Sequence, residues 1–185
     1  MQIMILGLVL WTVSHVFKRL APGLRARLGE VPGKLLVTVL SLAAVVLMVV
    51  GFRRADFDPV YTPLPGMGHL NNLLMLFSVY LFGAGKVPGV ARHYLRHPML
   101  TGVVVWAVAH LLVNGDLASV VLFGWLGVWA LVSMLLINMQ ERWKRPLRGR
   151  LRADGIVLAV AVVLYGVIAM IHIWLGHNPF LGTYG

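Results

Sequence analysis

The sequence predicts an all-α fold: a polytopic membrane helical bundle of six transmembrane helices, with both termini on the outer side of the membrane. Of its 185 residues, 59% are hydrophobic and only 12% are charged. A soluble domain is about half apolar and about a quarter charged. The few charged residues divide the chain into six apolar stretches, and the basic ones are concentrated in alternate loops. This pattern excludes a soluble globular, disordered, coiled-coil or collagen-like chain.

The first three predicted spans each end at charged or flexible residues. A helix needs about 20 mostly apolar residues to cross the hydrocarbon core. The first stretch, Met1–Phe17, has no positive charge before it and no small-x-small cleavage site after it. We therefore interpret it as a retained helix rather than a signal peptide. Leu35–Phe52 ends at Arg53-Arg54, and His69–Ala84 ends at Gly85-Lys86.

The last three predicted spans are separated by a turn signal and a basic run. The fourth begins after Pro98, which suits the first turn of a helix because its missing N–H is not needed there, and it reaches Val113. Asn114-Gly115-Asp116 predicts a tight turn, with the aspartate capping the helix that follows. The fifth and sixth spans are Leu117–Met139 and Gly155–Leu175.

The net charge of +10 is interpreted as a signal of orientation. Of the 16 basic residues, 14 lie in loops 18–34, 85–97 and 140–154, and only Arg53-Arg54 lies on the other side. Cytoplasmic loops carry an excess of Lys and Arg, so these three loops are predicted to face inward. We expect a multi-pass membrane protein, with anionic lipid at the basic loops and no nucleic-acid partner.

The basic run 142–152 begins directly after an acidic residue. Glu141 is expected to form a surface pair with Arg145 at the i, i+4 spacing, an interaction of only tenths of a kcal/mol (about 0.2–0.5). The run itself is expected to set the topology and to meet anionic lipid.

The chain contains no cysteine. This excludes disulfides, thiolate metal ligands, iron–sulfur clusters and covalently attached c-type haem. No internal repeat is visible, so residues 1–185 are predicted to form a single transmembrane domain without the inverted repeats of a transporter.

Histidines within the predicted spans are the main candidates for chemistry, because polar groups inside a membrane carry a large desolvation cost. His15 and His97 lie toward the inner side, and His110 and His172 lie toward the outer side. Without cysteine, bis-histidine haem b is the natural haem, and imidazole is the commonest metal ligand. His97 and His110 are about 20 Å apart along one helix, so they cannot both ligate one ion.

Depth in the membrane limits which histidines can share one iron. It favours His15 with His97, and Arg92 and Arg96 would then hold the haem propionates by charge-assisted hydrogen bonds. A haem held by the outer pair would face outward instead. The alternative for His15 is a hydrogen bond to a neighbouring helix.

Several short motifs follow one another along the chain. They are Gly7-Leu8 with His15, Pro88-Gly89, Arg96-His97-Pro98-Met99-Leu100-Thr101-Gly102, Trp106-Ala107, Ala109-His110-Leu111-Leu112, Asn114-Gly115-Asp116 and Phe123-Gly124. With these motifs the chain resembles the NnrU family of bacterial membrane proteins over nearly its whole length. That resemblance implies a multi-pass protein of the bacterial inner (cytoplasmic) membrane. The family was named for a link to denitrification, through expression of nitrite and nitric oxide reductases.

The NnrU family is in turn similar to the plastid 15-cis-zeta-carotene isomerase, a membrane protein whose haem b is held by histidines. That similarity implies that His15 and His110 match the proposed ligands and that His97 matches the histidine of an Arg-His-Pro motif. All three are therefore candidates for the haem iron. His15 ranks first because it belongs to both pairings.

The Arg-His-Pro segment is also similar to the signature of integral-membrane methyltransferases that act on isoprenylcysteine carboxyls or phospholipids. That resemblance implies S-adenosylmethionine as an alternative cofactor, bound through Arg96, His97, Gly102 and Glu141. Leu100 occupies the position of a tyrosine in that signature.

Three hypotheses of function follow. The first is a haem-b membrane protein, acting as a cis-trans isomerase of a lipophilic polyene, a carrier linked to nitric oxide metabolism, or a maturation factor. The second is a methyltransferase-like protein, and the third is a non-enzymatic membrane assembly factor. Whether the chain is an enzyme is left open, with a haem-dependent isomerase or redox protein ranked before a methyltransferase. A lipophilic substrate and a homo-oligomer are both compatible with the sequence.

Overall fold

The apolar stretches of the chain form helices in a computed structural model that describes residues 1–181. This part of the chain contains eight α-helices and no β-strand beyond an isolated pairing of Pro59 with Asp116. The helices are α1 (Gln2–Leu20), α2 (Pro22–Arg27), α3 (Glu30–Arg53), α4 (Met67–Ala84), α5 (Ala91–Tyr94), α6 (Pro98–Leu111), α7 (Leu117–Gln140) and α8 (Leu151–Trp174). The all-α prediction is confirmed, and each predicted span corresponds to one helix.

Four of these helices, α1, α3, α7 and α8, are long and apolar enough to cross a membrane. Helix α6 is apolar but has only 14 residues. Helix α4 has 18 residues and is not among the four. The chain therefore has the character of a membrane protein, while the count of six spans and the sides of the termini stay predictions.

The start of α3 differs from the sequence-based expectation. The helix begins at Glu30, before the predicted start at Leu35, because the charged residues are part of its first turns. The Lys34 ammonium donates to the Glu30 carboxylate four residues earlier, over 2.6 Å. A helix start can thus contain charges that a hydropathy boundary assigns to a loop.

Helix α1 packs on α3 through close backbone contact. Gly51 of α3 faces Met4, and a Cβ added at Gly51 would collide with the Met4 backbone nitrogen. Gly7 makes the matching approach toward the Ala44 carbonyl. Small residues at such positions let two membrane helices approach closely, and this packing replaces the hydrophobic effect that lipid cannot supply.

Replacing Gly51 with alanine should separate these two helices. The added methyl group has no free space, so we expect a loss of about 1–3 kcal/mol in unfolding free energy, the usual cost of overpacking. Gly166→Ala is the matched control, because a Cβ at Gly166 meets no atom within 4 Å. Thermal unfolding in detergent measures both, and equal midpoints for the two variants would contradict the close contact.

The connections between the helices lie at two ends of the bundle. We call the end formed by segments 21–29, 85–97 and 141–150 the basic end, because these connections carry most of the Lys and Arg residues. At the opposite end, the loop between α3 and α4 lies on the turn between α6 and α7. There Val60 and Tyr61 donate their backbone N–H groups to the Gly115 carbonyl, over 2.8 and 3.0 Å.

The Tyr61 hydroxyl fastens this loop by donating to the carbonyls of Leu111 and Asn114, the latter over 2.8 Å. Burial, and secondarily the nearby Asp116 carboxylate, raises the pKa of the Tyr61 hydroxyl above its ordinary 10.0. The neutral phenol therefore stabilises the fold below pH 10, and its contribution is lost as the pH rises through the raised pKa.

Tyr61→Phe should remove this pH-dependent contribution. We expect the wild-type chain to unfold at a higher temperature than the variant at pH 8, with the difference shrinking as the pH rises above about 10. Thermal unfolding of both proteins across that range is the measurement. A difference that stays constant with pH would show that the Tyr61 proton does not hold the loop.

Candidate functional site

A cleft of about 760 Å³ lies between α4, α6, α7 and α8. Its wall is mostly apolar, and each of the four helices contributes to it. The lining residues are Met75, Ser78, Val79, Phe82, Gly83, Trp106, His110, Leu122, Phe123, Val157, Val160, Ala161, Leu164, Ile168 and His172. Its volume lies within the range of roughly 300–1,000 Å³ that is usual for small-molecule and cofactor sites.

His110 is the polar group that α6 presents to the cleft. Its ring stacks on Phe123 at 4.4 Å between centroids and lies 5.0 Å from the Trp106 ring. Its Nδ1 is 2.9 Å from the Trp106 carbonyl oxygen, four residues earlier in the helix. Since a carbonyl can only accept, Nδ1 carries the proton and Nε2 keeps a lone pair.

His172 presents a second imidazole to the same cleft from α8. Its Nδ1 donates to the Ile168 carbonyl over 2.8 Å, so its Nε2 also keeps a lone pair. In the described residues, the imidazole rings of His110 and His172 form hydrogen bonds only through Nδ1. A histidine that ligates a metal usually donates its other N–H to a carbonyl or carboxylate, which fixes the ring and its tautomer. Both residues have this arrangement.

His15 lies in an aromatic cluster between α1 and α7. Its ring stacks on Trp11 at 4.0 Å and meets the edge of Trp129 at 5.3 Å. Its Nδ1 is 2.9 Å from the Trp11 carbonyl and 3.1 Å from the Ser14 hydroxyl. The indole N–H groups of Trp11 and Trp129 are buried without a hydrogen-bond partner within the described residues. The alternative prediction for His15 is a hydrogen bond to a neighbouring helix. For the Nδ1 atom this prediction is wrong, because both of its partners, Trp11 and Ser14, lie on α1.

Helix α7 gives a common scale for the depth of three predicted haem ligands. His110 contacts Phe123, His15 contacts Trp129, and His97 bonds to Asn138. At 1.5 Å per residue, His15 lies about 9 Å from the level of His110 and about 13 Å from the level of His97. His15 is thus nearer in depth to His110 than to His97. The depth estimated from the sequence favours the opposite pairing, His15 with His97.

Arg96 and His97 join the start of α6 to the end of α7. The Arg96 guanidinium donates to the carbonyls of Glu141, over 2.5 Å, and Ile137, over 3.4 Å. The His97 Nε2 is 2.8 Å from the Asn138 side-chain oxygen. Ile137 lies in the last turn of α7 and Glu141 is its C-cap, so Arg96 supplies a further donor to carbonyls at the end of this helix. Binding of a propionate by Arg96 stays a prediction, and Arg96 would exchange these bonds to do so.

The rest of the Arg-His-Pro segment also packs helices together. His97 is the N-cap of α6 with φ −126° and ψ 57°, and Pro98 occupies the first turn, as predicted. A Cβ added at Gly102 would lie 3.2 Å from the Ser78 carbonyl, and the Ser78 hydroxyl donates to the Gly102 carbonyl over 2.8 Å. Gly102 therefore lets α4 and α6 approach closely. Use of this segment by S-adenosylmethionine stays a prediction.

Glu141 is paired differently from the prediction. Its carboxylate accepts from Arg19 of α1 over 3.0 Å, not from Arg145. The i, i+4 geometry with Arg145 is absent because α7 ends at Gln140 and the chain beyond is extended. Arg92 lies in the short helix α5 at the basic end, half-buried, and its predicted role in binding propionate stays a prediction.

Asp154 is a buried acidic residue that was not among the site residues predicted from the sequence. Its carboxylate accepts from the backbone N–H groups of Val90 and Ala91, over 2.5 and 3.4 Å, and from the Tyr80 hydroxyl over 3.3 Å. It lies in the first turn of α8 and holds the 85–97 loop against that helix. An acid in the first turn, at the end of a basic run, is the only signal of this role in the sequence.

Asp116 follows the prediction. Its carboxylate accepts from the Ser119 backbone N–H over 2.9 Å and from the Ser119 hydroxyl over 2.6 Å, so it caps α7. Within the described residues no three His, Asp or Glu side chains come together as a metal site. A haem iron needs only one or two protein ligands, since the porphyrin supplies the others.

Comparison with known proteins identifies one family. The family model described as NnrU protein matches residues 3–179 of the chain. No curated protein matches the chain, and no solved structure matches it.

Proposed function

The chain belongs to the NnrU family, and from that premise we propose that it is a multi-pass membrane protein that binds haem b between α4, α6, α7 and α8. His110 and His172 would hold the haem iron through their Nε2 atoms. The observation that carries the proposal is that both imidazoles line one apolar cleft with Nδ1 bonded to a backbone carbonyl.

The cleft suits a flat, mostly apolar cofactor. Phe123 and Trp106 flank His110 with aromatic faces, and aromatic rings supply large contact area in such sites. Haem b would supply a one-electron redox centre, whose potential depends on the axial ligands and the polarity around them. The protein contributes the two imidazoles, their orientation and the exclusion of water.

The cleft also reaches the surface of the bundle. Val160 and Leu164 line it while remaining 52% and 48% exposed, on a part of α8 that is apolar enough to span a membrane. A lipophilic molecule dissolved in the bilayer can therefore reach the cleft. This supports a haem-dependent cis-trans isomerisation of a lipophilic polyene before the other proposed roles, including one in nitric oxide metabolism.

The absorption spectrum of the detergent-purified chain tests haem binding. We expect a Soret band after expression with ample haem, with about one haem per chain. Adding haemin to the purified chain should give the same band and saturate at the same ratio. A chain that shows no Soret band after both treatments would overturn the proposal.

A further inference from the structure

A second cavity, a groove of about 480 Å³, lies between α4 and α8. It is lined by other positions of these helices than those that line the cleft, mostly leucine and phenylalanine side chains. Leu73 and Leu158 on its walls are 64% and 47% exposed. The groove is therefore open along the outside of the bundle, where the hydrocarbon of the bilayer lies.

The floor of the groove contains Gly155 of α8. A Cβ added at Gly155 would meet no atom within 4 Å, so the missing side chain leaves real space. A glycine inside a helix usually weakens it by roughly 0.5–1 kcal/mol relative to alanine. Here the glycine keeps an apolar channel open beside α4.

Basic side chains flank the end of this groove at the basic end of the bundle. Arg150 and Arg152 lie on either side of Leu151, which lines the groove, and both are exposed. By helical periodicity, Arg152 lies one turn before Gly155 on the same face. Neither arginine has an acidic partner among the ion pairs of the described residues.

Hydrogen bonds hold the segment that leads into α8 against the 85–97 loop. The Arg150 N–H donates to the Pro88 carbonyl over 3.1 Å, and the His93 Nδ1 donates to the Pro146 carbonyl over 2.7 Å. Asp154 also lines the groove, but its carboxylate is buried and bonded to Val90, Ala91 and Tyr80. The exposed charge at this end is therefore positive.

We propose that the groove binds one anionic phospholipid of the surrounding bilayer. The acyl chain lies along the groove over Gly155, and the phosphate lies against Arg150 and Arg152. The apolar groove alone would accept any lipid, and the two uncompensated guanidinium groups select an anionic one, because arginine binds phosphate by charge-assisted hydrogen bonds. This proposal does not depend on the proposed haem.

Native mass spectrometry of the full chain, released from bilayers of equal dioleoyl phosphatidylglycerol and dioleoyl phosphatidylcholine, tests the site. We expect one retained lipid, with phosphatidylglycerol preferred by about fivefold for each arginine, the factor equivalent to about 1 kcal/mol per cation near a membrane surface. The double variant Arg150→Gln, Arg152→Gln should keep the lipid and lose the preference.

Gly155→Leu should have the complementary effect. The Cβ of the leucine meets no atom within 4 Å, and its isobutyl group takes up space in the channel. Retention of both lipids should therefore fall while the remaining lipid keeps the preference for phosphatidylglycerol. Gly166→Leu, at an equally open position of the same helix, should match the wild-type chain. Equal retention of the two lipids by the wild-type chain, wild-type retention by Gly155→Leu, or an equal loss in Gly166→Leu would each overturn the proposal.

Discussion

Alanine in place of His110 or His172 should abolish haem retention, whereas His15→Ala should leave the Soret band in place. Loss of a partner that only orients a metal ligand costs roughly 10–100-fold in metal affinity, and loss of the ligand itself should cost more. The imidazoles of His110 and His172 both reach the cleft, while the His15 ring packs between Trp11 and Trp129.

The haem-to-protein ratio after purification measures this directly. His69→Ala is the control, because His69 is exposed at the start of α4 and does not line the cleft. If His15→Ala instead removes the Soret band and the two cleft variants retain it, the haem lies at the α1–α7 interface. That result would support the predicted pairings of His15 with His97 or with His110.

The long helices could be predicted from the sequence because each long apolar run is bounded by charged residues or by a turn. The bounds failed where charges join a helix, as Glu30 and Lys34 do through their own i, i+4 pair. The short helices α2 and α5 were missed because they lie in basic segments with no apolar period. Hydropathy therefore identified the long helices and left the ends uncertain.

The cleft could be predicted only in part. Sequence position gives a histidine's depth along its own helix, and this placed His110 and His172 together near one side of the bundle. It does not say which helices are neighbours, or which face each one turns inward. The contacts of Phe123 and Trp129 with His110 and His15 depend on how α7 packs between α1 and α6.

Long-range polar contacts were the least predictable feature. Glu141 was expected to pair locally with Arg145, but the end of α7 turns it toward Arg19, whose helix lies beside it only in the folded chain. Asp154 bonds mainly to backbone N–H groups, and any residue type can supply those donors. The pattern of side chains in the sequence therefore does not indicate which groups bond to Asp154.

Replacing Asp154 should produce the largest loss of stability of any single polar change in the chain. Its carboxylate is buried and accepts three hydrogen bonds, two of them from the backbone at the start of α5. A hydrogen bond to a charged group contributes about 1.5–3 kcal/mol, and a buried donor left without an acceptor adds its own desolvation cost. We expect Asp154→Ala to cost at least about 3 kcal/mol in unfolding free energy.

Asp154→Asn separates the loss of charge from the loss of the acceptor. Asparagine keeps one oxygen acceptor of the same shape, so its cost should be intermediate, since its amide donors face N–H groups that need an acceptor. Glu30→Gln is the control, because its ion pair with Lys34 is highly exposed and exposed pairs contribute only about 0–1 kcal/mol. Unfolding by denaturant in detergent measures the loss of unfolding free energy in each of the three variants. Increased protease cleavage near Val90 should accompany the loss of stability in both Asp154 variants. If Asp154→Ala and Glu30→Gln unfold at the same denaturant concentration, the Asp154 carboxylate does not hold the 85–97 loop to α8.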